Sequence, residues 1–212
     1  MTRALVVSTL TTFLLTACGG TGTLYVTARF SSDGSTASSR ARVTVREAAS
    51  SGALVVDAQV SVIGSKLPKT GLPYNMPRNE YSADGFGWDE TLRLEVVRGT
   101  DRVEASVQSP GFSVITAPTS EGTVVKANGL LVTWRDAGNV PADIARLRLD
   151  QSDIDVTLAD DKFQYRIGAD PLVVTDREWV YLERSNEVAP TGAAPGSVIS
   201  ATTTHGINFR VE

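Results

Sequence analysis

The chain has 212 residues, 42% of them hydrophobic and 21% charged, with one cysteine, one histidine and a net charge of −4 at neutral pH. These proportions suit a globular protein with its own core, and a lone cysteine excludes an internal disulfide framework. The acidic balance excludes the basic face that nucleic acid selects and the polybasic patch that grips anionic lipid.

Met1-Thr2-Arg3 open an uncharged run from Ala4 to Ala17 that stops at Cys18. A basic start, a short apolar stretch and small residues at its end form a secretory signal. The stretch is shorter than the roughly 20 residues a membrane-crossing helix needs. Leu15-Thr16-Ala17-Cys18 resembles the lipobox of bacterial lipoproteins. The resemblance implies a signal peptide over 1–17, cleavage before Cys18, diacylation of its thiol and a tether over 18–22. Gly19 stands where an aspartate would mark inner-membrane retention, so the implied address is the outer membrane, with the lipid as the membrane contact. The plain alternatives are a thiol lost with a cleaved leader and a structural thiol in a cytosolic protein. Each buried methylene adds about 0.8 kcal/mol to membrane attachment, and two acyl chains give lasting anchorage.

Beyond the tether, apolar residues recur at every second position, the signature of a half-buried strand. Leu24/Val26/Ala28/Phe30, Val43/Val45 and Val56/Ala58/Val60/Val62 are the first such runs. Residues 64–79 then hold three prolines, a tyrosine, a methionine and three basic side chains. A loop of this length is commonly functional. Tyr74 and Arg78 are residue types enriched at binding hot spots, so the segment reads either as a crossover between sheets or as a recognition loop. Alternation returns over Phe86–Val96 and again at Val103/Ala105/Val107, joined by a Gly99-Thr100-Asp101 turn, which predicts a hairpin.

Pro110 and Pro118 interrupt the pattern, and a second set follows at Leu130/Val132/Trp134, Leu147/Leu149, Ile154/Val156/Leu158, Phe163/Tyr165/Ile167, Val180/Leu182 and Ile207/Phe209/Val211. Residues 185–197 read as a connection, and His205 as an exposed turn residue before the last strand. Helical spacing is nowhere sustained, so the fold class is all-β. Strands at 8–12-residue intervals on each side of a break predict two small sandwiches, over 23–117 and 118–212. One larger sandwich or barrel is the alternative. Charge also divides the halves: residues 19–117 carry ten basic and ten acidic side chains, residues 118–212 nine and fourteen.

The stretch APTSEGTVVKANGLLVTW, residues 117–134, is similar to the opening of bacterial immunoglobulin-like and fibronectin type III-like domains. Leu130, Val132 and Trp134 match their L-x-V-x-W, which implies that Trp134 packs between two sheets. The first half, with VVDAQVSVIG and GWDETLRLEV, loosely resembles transthyretin-like and other immunoglobulin-like modules. Together these imply two tandem immunoglobulin-like β-sandwich domains after a lipoprotein signal peptide. The resemblance implies no catalytic residues.

Catalytic motifs are missing from the sequence as well. One histidine is poor provision for a catalytic zinc site. No G-x-S-x-G elbow, Walker loop or dinucleotide fingerprint occurs. Asp89-Glu90 and Asp160-Asp161 are adjacent carboxylates, and on a strand neighbours point to opposite faces. Five aspartates, Asp150, Asp153, Asp155, Asp160 and Asp161, fall within residues 150–161. Calcium takes six to eight oxygen ligands, so these are candidate calcium ligands, or else turn formers on a solvated face. No other cofactor is implied. The expected function is non-catalytic: a lipid-anchored binding or structural protein of the cell envelope that takes a protein or glycan through loops or sheet edges. An accessory subunit of an envelope complex is the second reading; a carbohydrate-active enzyme or calcium-dependent adhesin is the third.

Overall fold

The computed structural model describes residues 23–33, 38–136, 140–159 and 162–212. Cys18, Asp160 and Asp161 lie outside them. The described chain is all-β. Its first half contributes β1 (Leu24–Ser32), β2 (Arg40–Glu47), β3 (Gln59–Gly64), β4 (Thr70–Gly71), β5 (Tyr74–Asn75), β6 (Glu80–Asp84), β7 (Thr91–Arg98) and β8 (Asp101–Gln108). The second contributes β9 (Ser113–Ala117), β10 (Thr123–Val124), β11 (Leu130–Asp136), β12 (Ile144–Leu149), β13 (Ile154–Leu158), β14 (Gln164–Ile167), β15 (Thr175–Val188) and β16 (Val198–Val211). Among the described residues no helix is long and apolar enough to cross a membrane.

Period-two burial explains most of these strands. Along β1 every even residue from Leu24 to Ser32 is buried and the odd ones are not. In β7, Leu92, Leu94 and Val96 face inward. The predicted hairpin forms, with Arg98 opposite Asp101 across a Gly99-Thr100 turn. Gly99 takes a φ of 58°, a left-handed conformation that suits glycine. The extended structure of this run begins only at Thr91, five residues after Phe86.

The strands form three sheets. A nine-stranded sheet has the order β13-β12-β15-β16-β1-β2-β6-β5, with β10 also beside β16. A four-stranded sheet, β4-β3-β7-β8, covers one half of it and a three-stranded sheet, β14-β11-β9, the other. Two cores result. The first packs Val26, Phe30 and Val43 against Val62, Leu94 and Val103. The second packs Leu147, Leu182 and Phe209 against Leu130, Val132 and Trp134. Trp134 is 4% exposed.

The halves share more than a linker. β15 and β16 are each 14 residues long and run through both halves. Val198–Thr203 of β16 pairs in parallel with Thr27–Ser32 of β1, and Ile199 and Ala201 join the first core. One strand thus serves two cores. Residues 185–188, read from sequence as connection, are the end of β15; the connection is 189–197. Residues 64–79 are a crossover: β4 pairs with β3, and β5 with β6 in the other sheet.

Candidate binding surfaces

Between the two cores β15 and β16 point polar side chains inward. Arg184 is 1% exposed and donates to the Gly111 carbonyl at 2.8 Å and to Ser113 Oγ at 3.0 Å. Asn186 donates to the carbonyls of Gln108 and Pro141, both at 3.0 Å, and accepts the Asp143 N–H at 2.6 Å. Thr203 reaches the Gly111 carbonyl at 3.3 Å. The carbonyls of Gln108 and Gly111, where the chain passes from one half to the other, are thus satisfied by the long hairpin. Burial of these polar groups is tolerable because each has partners.

A pocket of about 250 Å³ opens at this joint, with Leu67, Trp88, Pro110, Phe112 and Val140 in its wall. The Trp88 and Phe112 rings lie 6.1 Å apart. Asp89, 6% exposed, sits in the same wall and accepts from the Ser65 hydroxyl and the Glu90 N–H, both at 2.8 Å, and from the Lys66 N–H. Burial pushes its carboxyl up, but these donors outweigh burial and hold it below the ordinary 3.8. Its lone pairs are committed to shaping the loop that carries Leu67. Glu90, exposed, lines the same pocket. Ser109, 2% exposed, has a hydroxyl without a partner. A second groove, of about 450 Å³, lies on the four-stranded sheet, lined by Val60, Leu72, Pro73 and Val97 and flanked by the 2.6 Å Lys69–Glu95 pair.

The outer face of the nine-stranded sheet carries a run of planar groups. The Arg177 guanidinium lies 5.4 Å from the Trp179 ring centre, Trp179 lies parallel to Tyr181 at 5.8 Å, and the Arg148 guanidinium lies 4.9 Å from Tyr181. Such cation–π pairs stabilise by about 0.5–1 kcal/mol each at exposed sites. Asp150 is 3.4 Å from Arg148. Burial pushes the Tyr181 hydroxyl above its ordinary value, and Asp150 adds to it. Gly206 pairs opposite Tyr181, and a Cβ there would come within 2.7 Å of the ring, so a larger residue would have to displace it. Beside the run, a polar groove of about 420 Å³ is lined by Arg29, Arg146, Asp155, Glu183, Glu187 and Ser200.

Three of the candidate calcium ligands, Asp150, Asp153 and Asp155, lie among the described residues. Asp155 faces Arg146, with Nε 2.6 Å from Oδ1 and a second contact through Nη2, and this guanidinium holds its carboxyl below the ordinary range. Asp150 belongs with Arg148, and Asp153 is an exposed turn residue with φ 49°. Among the described residues no three histidine, cysteine or carboxylate side chains group as a metal site. Tyr74 packs edge-on against Tyr81 at 5.2 Å, and its hydroxyl lies 3.3 Å from Asn79 Oδ1. Arg78 is exposed, 4.0 Å from Glu80. Tyr74 is packed at the edge of the first core, and Arg78 lies at the surface beside Glu80.

His205 departs from its reading as a turn residue. It sits within β16, half-buried, and its Nδ1 accepts the N–H of Ile115 from the edge strand β9 at 3.2 Å. The acceptor nitrogen must be unprotonated, and burial lowers the imidazole below its ordinary 6.5. The folded state therefore binds this proton less readily than the unfolded state. Its stabilisation is fully present above pH 6.5 and is lost as pH falls through the depressed folded value. Melting temperatures measured from pH 8 down to 5 should fall in the wild type and fall less steeply in His205→Gln. Equal slopes would exclude the role.

Sequence reasoning missed Glu178, Arg184 and Asn186. All three stand at even positions of β15, in phase with buried Val180 and Leu182. A charge on the apolar parity of an alternating run was the available signal. No protein-family model matches the chain, and no curated protein is similar enough to count as a relative.

Proposed function

We propose that this is a lipid-anchored, extracytoplasmic binding protein of the bacterial outer membrane, non-catalytic, with two tandem immunoglobulin-like sandwiches after its signal peptide. The strand orders support the second part. β5-β6-β2-β1 over β4-β3-β7-β8 matches the D-E-B-A and C′-C-F-G sheets of the immunoglobulin plan, and β14-β11-β9 over β13-β12-β15-β16 matches the same plan without its D strand.

One observation carries the functional reading: β1 and β16 run side by side in the same direction. Leu24 therefore lies at one end of the molecule and Val211 at the other. With Cys18 in lipid, the tether 18–22 holds the first half near the membrane and the second half projects from it. At about 3.3 Å per residue, the 14 residues of β16 alone span roughly 45 Å. The projecting half carries the Arg177–Trp179–Tyr181–Arg148 run and, at its far end, exposed Val173 and Val174. Trp, Tyr and Arg on an uncovered sheet face are interface-forming residue types, which favours a protein partner over a glycan.

The alternative, an accessory subunit docking through a sheet edge, is favoured by β13, an edge strand whose Ile154, Val156 and Leu158 are half-buried. A photo-cross-linker at residue 181 or at residue 157, in cells expressing the tagged protein, separates the two. Labelling of the same protein with a clickable palmitate analogue should be lost in Cys18→Ser. An unmodified, full-length wild-type N-terminus would remove the anchor from the proposal.

A further inference from the structure

We propose that the β1–β16 ladder is a shear clamp that makes this protein a force-carrying connector between its membrane side and whatever its second half holds. Six residue pairs, Thr27–Val198 through Ser32–Thr203, form the ladder. The chain enters β1 at Leu24 and leaves β16 at Val211, at opposite ends of two parallel neighbours. A pull on residue 24 one way and on residue 211 the other runs along both strands. All the bonds of the ladder are then strained together, whereas a pull across a ladder opens them one at a time. The path crosses directly from β1 to β16, so residues 33–197 lie outside it while the ladder holds.

The surroundings reinforce this path. The Val26 N–H donates to Ser197 Oγ at 3.0 Å, and Ser197 donates to the Ala194 carbonyl at 2.7 Å. The Ala194 N–H donates to the Leu24 carbonyl at 2.8 Å. These bonds continue the hold toward the N-terminal end of β1, beyond the last ladder pair. Ile199, Ala201, Ala28 and Phe30 are all buried in the first core, which keeps water from the ladder on that side. At the other edge of the first half, Thr191 in the hairpin connection exchanges two backbone bonds with Glu104 of β8, at 3.0 and 2.8 Å. The hairpin thus grips both sheets of the first half, and β16 is fixed on its far side by twelve pairs with β15. Forced unfolding is governed by the barrier to opening rather than by equilibrium stability, so the clamp acts whether or not the protein is unusually stable.

The purpose assigned to the clamp rests on the anchored reading above; its test does not. Single-molecule pulling would use the full chain with Cys18→Ser, held by its two ends, and the same protein held at its N-terminal end and at the Gly99-Thr100 turn. The end-to-end pull should open at the higher force, in one event that releases the chain between β1 and β16. A second protein adds Ser31→Cys and Thr202→Cys, whose backbones pair in the ladder at a spacing a disulfide can bridge. Its oxidised form should lose the high-force event and its reduced form regain it. Equal opening forces in the two directions, or a high-force event that survives oxidation, would overturn the proposal. Failure of palmitate labelling would leave the clamp standing and remove only its membrane end.

Discussion

Glu178→Ala should lower the melting temperature by roughly 10 °C, from a loss of about 3 kcal/mol or more. Glu178 is fully buried, and its two carboxylate oxygens accept four donors: the N–H of Gln151 at 2.8 Å, the N–H and hydroxyl of Ser152 at 2.9 and 2.6 Å, and the N–H of Trp179 at 3.0 Å. Ser152 Oγ in turn accepts the Val173 N–H at 3.1 Å. One carboxylate therefore ties the turn between β12 and β13 to the loop before β15. Truncation strands the two buried donors of Ser152, each costing about 1–3 kcal/mol when unsatisfied, and the part-buried N–H groups of Gln151 and Trp179 besides. Glu178→Gln keeps the volume but turns an NH₂ toward N–H donors, and should fall between wild type and Ala. Thermal denaturation of the three proteins checks the order. A shift within error for Ala would mean that water replaces the carboxylate without loss.

Arg184→Ala should be comparably severe, at about 3 kcal/mol or more, because it leaves the Gly111 carbonyl and the Ser113 hydroxyl without their guanidinium donor, at about 1–3 kcal/mol for each buried group left unsatisfied. The side chain is among the largest that are fully buried, so truncation leaves a cavity as well as unsatisfied groups. Its position makes the loss local. Amide hydrogen exchange should quicken first at residues 108–113 and 140–143, which Arg184 and Asn186 organise, while the amides of β7 and β11 stay protected. Uniform loss of protection would mean that the joint has no separate stability.

These residues also mark where sequence reading ran out. Strands such as β1, β7 and β11 were legible because each buries one apolar face, and alternation records that directly. β15 and β16 were legible only where they serve a single core. At Arg184, Asn186 and Thr203 the inward side chains are polar, so the alternation broke although the strand did not. The pairing of β1 with β16 left no local trace, since it joins residues such as Thr27 and Val198, 171 positions apart. Of the candidate sites, the aspartates of residues 150–161 were conspicuous by number, yet the turn among them is organised by Glu178, a lone charge in an apolar run. The planar run on the outer face was hidden for a simpler reason: Arg148 comes from a different strand than Arg177, Trp179 and Tyr181.

The parallel pairing of β1 with β16 also sets an order of events during synthesis. The first half emerges from the ribosome long before Val198–Thr203, the segment that covers the edge of its β1. Until then that edge offers unpaired backbone groups to any neighbouring chain, a recognised route to aggregation. Ile199 and Ala201 are missing from its core over the same interval. The nascent protein thus waits on its final strand, and a chain interrupted before residue 198 would be left with the edge of β1 open.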